Sequence, residues 1–270
     1  MLLEFWSQFI HHFPASDLAA LVLNGALFSL AYFVFWHKLK ERYRHLRIQS
    51  RNRVNGAQIR RELKNALYSL AVGASLSTLV LYMASRGYTQ IYQDAGRHPW
   101  WYNYAGFFLL LIIDDTWFYW CHRLLHHRTL YRFIHAEHHK SIDVNPFTSA
   151  SFHFLEPLLL TLWIVPVAFF IPIYAPVLGF VQLWGLLDNL KSHLGYEFYP
   201  AWFNLSWLRF FTTSTYHNLH HSRFTGNYGV HFRLWDKLLG TEFPDYEAGF
   251  AEIKARESVV DATSANKAAL

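Results

Sequence analysis

The sequence has little cysteine and little charge. Cys121 is the only cysteine among the 270 residues, which excludes a disulfide framework and any zinc site built from several cysteine ligands. Asp, Glu, Lys and Arg make up only 16% of the residues, whereas soluble domains contain about 25%. The composition therefore argues against both a disulfide-rich secreted domain and an ordinary soluble protein.

Apolar and aromatic residues take the place of the missing charge. Hydrophobic residues account for 53% of the chain and aromatic residues for 19%, and Trp and Tyr collect at membrane interfaces. Three apolar runs have roughly the 20 residues that a helix needs to cross a bilayer core; they are residues 17–36, 65–85 and 101–121. A fourth run, 154–187, is too long for one crossing. It is interrupted near its middle by Pro166, Pro172 and Pro176, which favours a broken helical hairpin.

Positive charge is concentrated on one side of the predicted spans. Segments 37–64, 122–153 and 188–270 hold 22 of the 24 Lys and Arg residues, whereas 1–16 and 86–100 hold two. Because basic loops stay in the cytoplasm, the histidine-rich segments are expected there too. The basic surface is expected to face anionic lipid, with no nucleic-acid partner. We predict an all-α, multi-pass integral membrane helical bundle of four to five crossings with a cytoplasmic helical cap.

Histidine is abundant, with 17 residues, and it is clustered. Three groups have helical spacing: His122 with His126, His135 with His138 and His139, and His217 with His220 and His221. Positions i, i+3 and i+4 share one helix face, so each group can present its imidazoles together. Metal coordination satisfies converging neutral imidazoles that would otherwise be buried without partners. Eight imidazoles exceed what one ion takes, which predicts a di-metal site in the cap.

The ligand type alone leaves iron, zinc, copper and nickel open. The HExxH pattern of zinc peptidases is absent, and one cysteine cannot complete a zinc deaminase site, although His135 and Glu137 match its HxE half. Paired haem ligation needs fewer histidines. We favour two non-haem iron ions with O₂ as co-substrate. A zinc-dependent membrane lipid hydrolase and a non-enzymatic metal carrier are the alternatives.

Four stretches resemble the sterol desaturase and fatty acid hydroxylase superfamily. They are DDTWFYWCHRLLHH, LYRFIHAEHHKSIDVNPFTSASFHFLEP, SHLGYEFYP and TSTYHNLHHSRFTGNYGVHFRLWDKLLGT. The resemblance covers about residues 111–245 and is strongest to the carbon-5 sterol desaturases and their bacterial relatives. It implies a membrane di-iron oxygenase that hydroxylates or desaturates a sterol-like or fatty acyl lipid.

The resemblance also implies site residues. It adds His193 to the eight clustered histidines, which makes nine metal ligands. Some members have a further histidine where this chain has Asn189. Groups expected beside the ligands rather than on the metals are His127, His153, Asp115, Glu156 and Asn189. His127 lies about 140° from His122 on an ideal helix, and Glu156 is a candidate to orient a ligand. Asp115 is interpreted as an acceptor for a ligand histidine, with a helix-end salt bridge as the alternative. His231 is expected at the surface or in helix packing.

The chain divides into three parts on this interpretation. Residues 1–100 hold the first membrane spans and a basic cytoplasmic loop, 101–250 form the catalytic domain, and 251–270 are a polar tail whose composition allows disorder. No flavin or dinucleotide motif is present. Electrons are therefore expected from a partner, either a b-type cytochrome, a ferredoxin or a rubredoxin-like carrier with its reductase. The lipid substrate is expected to enter from the bilayer.

Overall fold

The computed structural model describes residues 18–51 and 53–268. Residues 1–17, which include part of the predicted N-terminal region, and residues 269–270 of the predicted tail lie outside these ranges. The described chain is mostly helical, as predicted, with one departure. A pair of two-residue parallel strands, β1 (Ile91–Tyr92) and β2 (Ile173–Tyr174), joins two loops.

Two helices in the described ranges are long and apolar enough to cross a membrane: α1 (Leu18–Lys38), which ends in π-helical turns, and α2 (Gly56–Ser85). The Asn55 side chain caps α2 by accepting hydrogen bonds from two backbone N–H groups. Both helices expose large apolar side chains such as Leu23 and Leu67, as lipid-facing helices do. The larger number of crossings and their orientation stay predictions.

The third predicted span coincides with α3 (Trp100–Leu125), and the predicted hairpin coincides with a broken helix pair. Its first arm consists of two short helices, α4 (Leu155–Thr161) and α5 (Ile164–Phe170), and its second arm is α6 (Ala175–Ser192). Leu110 of α3, Val167 of α5 and Val181 of α6 belong to the largest buried cluster. The prolines therefore divide the run as expected.

Short helices surround the C-terminal ends of α3 and α6. Residues 128–139 are helical throughout, with α-helical Arg128–Leu130 and Ala136–His139 on either side of a π-helical turn, Tyr131–His135. Beside them lie 3₁₀ turns at Pro146–Ala150, Ala201–Leu205 and Trp207–Phe210. Helix α7 (Ser214–Arg223) completes this group. Because α3, α6 and α7 carry histidines, their arrangement determines the site.

The C-terminal segment is helical, although its polar composition allowed disorder. After the short α8 (Leu234–Leu238), a helix α9 (Tyr246–Ala268) runs through most of the predicted tail. Phe250 and Ile253 are buried, and Lys254 donates to the Glu197 carbonyl oxygen at 2.8 Å. Residues 246–254 therefore pack on the protein, because a few apolar side chains at helical spacing suffice to anchor a polar helix.

A histidine-lined candidate metal centre

The structure brings together all nine histidines that were predicted as ligands. His122 lies in the last turn of α3, and His126 is its C-cap. His193 is the C-cap of α6. The others lie at residues 135–139, in consecutive helical turns, and on α7. Eight of the nine are buried and His126 is partly buried. Helix ends that meet thus explain why residues up to 99 positions apart converge.

The nine histidines form two groups. The first contains His122, His126, His135, His139 and His220, and the second contains His138, His193, His217 and His221. Within each group, one ring nitrogen of every member lies within 4.8 Å of the corresponding nitrogen of every other member. Two neighbouring groups with four or five nitrogen donors each can hold two transition-metal ions, since imidazole suits such metals.

Distances in the first group suit a shared cation. The Nε2 atom of His135 lies 3.1 Å from Nε2 of His122 and 3.0 Å from Nε2 of His139. The Nε2 atoms of His220 and His139 are 3.1 Å apart. Imidazole nitrogens bind a transition metal at about 2.0–2.1 Å, so two neighbouring ligands on one ion are about 3 Å apart. The observed separations have this value.

The second group is centred on His193. Its Nε2 atom lies 3.1 Å from Nε2 of His217, 3.1 Å from Nε2 of His221 and 3.4 Å from Nε2 of His138. The ring of Phe152 stacks on that of His138, with ring centres 4.4 Å apart. This stacking shields the His138 imidazole from water on one face.

The opposite ring nitrogens fix which tautomer is present. Five Nδ1 atoms lie 2.6–3.2 Å from backbone carbonyl oxygens; the pairs are His122 with Tyr228, His138 with Ser151, His193 with Asn189, His220 with Gly226 and His221 with Ser141. A carbonyl oxygen has no hydrogen, so Nδ1–H must be the donor and a neutral ring then has a bare lone pair on Nε2. The Nε2 contacts thus bring lone pairs together, which a cation would stabilise.

Burial favours the neutral state of these rings. Removal from water lowers the pKa of His193 to about 4 and lowers the pKa values of His217, His220 and His221 well below the usual range. The Nε2 atom of His126 is buried without a hydrogen-bond partner among the described residues. Neutral imidazoles with free, buried nitrogens are the form that binds metals, so the residues present fit a pair of transition-metal ions.

Glu156 and Asn189 were expected beside the ligand histidines, and both contact one. The buried Glu156 carboxylate accepts from Nδ1 of His135 at 2.6 Å. Asn189 acts through its backbone, since its carbonyl oxygen accepts from Nδ1 of His193 at 2.9 Å, one helical turn further on. The Asn189 side chain instead donates to the Ser149 carbonyl oxygen at 2.8 Å. Asn189 therefore orients a ligand without replacing one.

Three candidates do not contact the ligands in the way proposed. His127 is exposed, because its rotation from His122 turns it away from the group. His153 is half-buried, and its ring lies beside Phe154. The proposed role of Asp115 is corrected: its carboxylate accepts from the backbone N–H groups of His231 and Phe232, at 2.9 and 3.0 Å, and not from a ligand histidine.

His231 occupies the second of its two expected places, in helix packing. It is buried between two helices, with Nδ1 2.9 Å from Oδ2 of Asp188 and Nε2 3.1 Å from Oδ2 of Asp114. Burial alone would lower its pKa, but the hydrogen bonds and charges of the two carboxylates raise the pKa of His231 to about 10. Carboxylates within apolar helices are costly unless they are paired, so Asp114 and Asp188 are a sequence signal that a polar partner lies near them.

An apolar cavity of about 570 Å³ adjoins the histidines. Its lining includes His122, His135, His138, His193 and His217 together with apolar residues of α1, α2, α4, α5 and α6. Ligand cavities in proteins measure about 300–1,000 Å³ and are mostly apolar with a few polar groups. An apolar ligand in this cavity would therefore lie against both histidine groups.

Comparison with known proteins identifies several that are similar to this chain. The profile of a family described as fatty acid hydroxylase matches residues 107–241. Lathosterol oxidase of Rattus norvegicus is 32% identical over 84% of this chain and 72% of its own. A Delta(7)-sterol 5(6)-desaturase of Gibberella zeae is 32% identical over 68% of this chain and 51% of its own.

Methylsterol monooxygenase 1 of Rattus norvegicus is 34% identical over 55% of this chain and 50% of its own. The matched part of the chain thus spans about half the length of the desaturase and of this monooxygenase. No solved structure matches.

Proposed function

The chain belongs to the fatty acid hydroxylase family, and on that premise we propose that it is a membrane-bound oxidoreductase that hydroxylates or desaturates an apolar lipid. Two non-haem iron ions and O₂ are the proposed cofactor and co-substrate. One observation carries the proposal: nine imidazoles, eight of them buried, form two groups against an apolar cavity. Oxidation of a lipid by protein-bound non-haem metal needs both features, ligands for the metal and apolar space for the lipid.

The protein residues have two tasks in this reaction. The Nε2 atoms would bind the ions, while backbone carbonyls and Glu156 hold six of the nine Nδ1–H groups and so fix those rings. Bound iron would supply the reductive activation of O₂ that an unactivated C–H bond requires. The apolar cavity walls exclude water from the reacting lipid.

The names of the relatives support a sterol-like substrate. They are a lathosterol oxidase, a sterol desaturase and a methylsterol monooxygenase, which favours an oxidoreductase over a zinc-dependent lipid hydrolase or a metal carrier. Helices α1 and α2 contribute to the cavity lining and are apolar enough to face lipid. We therefore propose that the lipid enters from the bilayer between these helices.

The electrons are proposed to come from a separate carrier, with the metal site on the cytoplasmic side. Each turnover needs two electrons, and the sequence contains no flavin or dinucleotide motif. The loop between α1 and α2 exposes Arg42 and Arg44, which suits an acidic carrier protein such as a b-type cytochrome, a ferredoxin or a rubredoxin-like protein.

Lipid analysis of cells that produce the protein tests the function. Cells with the unchanged chain are expected to contain a lipid that has gained one oxygen atom or lost two hydrogen atoms. His220→Ala removes a ligand of the first group and is expected to abolish this product, while the protein remains in the membrane fraction. His127→Ala is the matched control, because this histidine is exposed and belongs to neither group. A product that persists in His220→Ala, or that forms without O₂, would contradict the proposal.

A further inference from the structure

An ion pair outside the metal groups lies among the polar side chains in the wall of the apolar cavity. Asp114 on α3 and His231 belong to its lining, and neither belongs to either histidine group. The cavity is otherwise mostly apolar, so a carboxylate there must have a reason to tolerate removal from water. The reason is His231, whose Nε2 lies 3.1 Å from Oδ2 of Asp114.

The two carboxylates that contact His231 differ in how many partners they have. Asp188, on α6, accepts from His231 through Oδ2 and pairs through Oδ1 with Lys191 at 2.5 Å. For Asp114, the structure shows one hydrogen bond among the described residues, from Nε2 of His231 to Oδ2. The Asp114 side chain is 18% exposed and belongs to the cavity lining. Asp114 therefore offers one free acceptor atom to a molecule in the cavity.

The free acceptor is held in a fixed position. The backbone N–H groups of His231 and Phe232 donate to the buried Asp115 carboxylate, which ties the His231 loop to α3. His231 in turn holds Asp114 from one side and is held by Asp188 from the other. A rigid acceptor loses little conformational entropy when it binds a donor.

We propose that Asp114 accepts a hydrogen bond from a hydroxyl group of the lipid that occupies the cavity. The proposal rests on the proposed function for the identity of the occupant as a lipid, and it adds that this lipid is an alcohol such as a sterol. Asp114 precedes His122 by eight residues of α3, or about 12 Å along the helix axis. One lipid molecule can span this separation, so Asp114 would position the carbon that reaches the imidazoles.

Binding measurements test this without any turnover. Radiolabelled cholesterol is bound to the purified protein in detergent and displaced by unlabelled cholesterol or by cholesterol methyl ether, which has no hydroxyl donor. The unchanged protein is expected to bind cholesterol about tenfold or more tightly than the ether, as a hydrogen bond to a charged group implies. Asp114→Ala is expected to lose most of this preference and Asp114→Asn part of it.

Asp188→Asn is the matched control, since its amide oxygen can still accept from Nδ1 of His231 and residue 188 does not belong to the cavity lining. It is expected to keep the preference. Equal binding of alcohol and ether by the unchanged protein would overturn the proposal, as would an unaltered preference in both Asp114 variants. If Asp188→Asn lost the preference for cholesterol as fully as Asp114→Ala, the proposal would also be overturned. The network would then affect binding only by stabilising the fold. Failure of the oxidation itself would appear separately, as the absence of any oxidised lipid despite normal cholesterol binding.

Discussion

At the scale of single residues, six of the nine imidazoles are held by a hydrogen bond at Nδ1, on the side away from the proposed metal. Five Nδ1–H groups donate to carbonyl oxygens, and that of His135 faces the Glu156 carboxylate. Gly226, whose carbonyl holds His220, has no room for a larger residue, since an added Cβ would lie 2.6 Å from the Thr241 carbonyl oxygen. The ring positions are therefore determined by backbone that itself tolerates little change.

Removal of the Glu156 carboxylate should weaken metal binding without removing a ligand. Glu156→Ala leaves the His135 Nδ1–H without its acceptor in a buried place, and loss of such a partner typically weakens metal affinity by about 10- to 100-fold. Iron content after dialysis against a graded series of chelator concentrations measures the effect.

Glu156→Gln keeps an oxygen acceptor and is expected to recover part of the affinity. Iron retention by Glu156→Ala equal to that of the unchanged protein would show that His135 needs no such orientation.

Most residues of the site could be predicted from the sequence, but the contacts that each of them makes could not. Helical spacing singled out eight histidines and the resemblance added His193, and the structure brings these nine together. The division into two groups separates His138 from its neighbour His139, which depends on how three helix ends meet. The role of Asp115 and the ion pairs of His231 could not be predicted for the same reason, since sequence spacing does not show which loop folds back on α3.

At the scale of elements, α2 supports the site through one buried carboxylate. Glu62 is fully buried and accepts hydrogen bonds from Gln58, Ser141, Asn145 and Thr148 at 2.6–2.9 Å. Ser141, Asn145 and Thr148 belong to the segment that directly follows His139. The Ser141 carbonyl oxygen accepts from His221. A helix outside the family match at residues 107–241 thus holds the loop in place.

Glu62→Ala should destabilise the protein markedly. Four donors would lose their acceptor, and each buried donor left without a partner costs about 1–3 kcal/mol. We expect a loss of at least about 3 kcal/mol, seen as a clearly lower unfolding temperature in detergent. Glu137→Ala is a suitable comparison, because that carboxylate is partly exposed and its ion pairs with Lys140 and Arg61 lie near the surface. Similar unfolding temperatures for the two variants would contradict a supporting role of Glu62.

The helices were easier to predict than their ends and their packing. Apolar length identified α1, α2 and α3, and the prolines identified the broken hairpin. The π-helical turn at Tyr131–His135 and the short parallel strands β1 and β2 have no comparable signal, because they arise from contacts between distant segments. The helical tail was missed because only a few of its residues are apolar.

At the scale of the whole molecule, the buried histidines make the metal-free protein sensitive to acid. The pKa of His193 falls from 6.5 in the unfolded chain to about 4 in the folded protein. Below about pH 6.5 the unfolded chain therefore binds protons that the folded protein does not, so stability is present above that pH and is lost as the pH falls towards 4.

Each such histidine can contribute up to about 3 kcal/mol to this loss. Unfolding temperatures of metal-free protein in detergent between about pH 7.5 and about pH 5 provide the measurement. We expect a steep decline, which bound iron would reduce because it stabilises the folded state. A flat profile without metal would mean that the rings are not buried in the folded protein.

The uneven distribution of the ligands along the chain has a consequence for biosynthesis. Four of the five imidazoles of the first group lie between His122 and His139, whereas the second group has only His138 before His193. A nascent chain thus possesses most of one coordination sphere long before it can form the other. The first group is therefore largely local in sequence, whereas the second forms only when His193 and α7 have docked against the earlier segment.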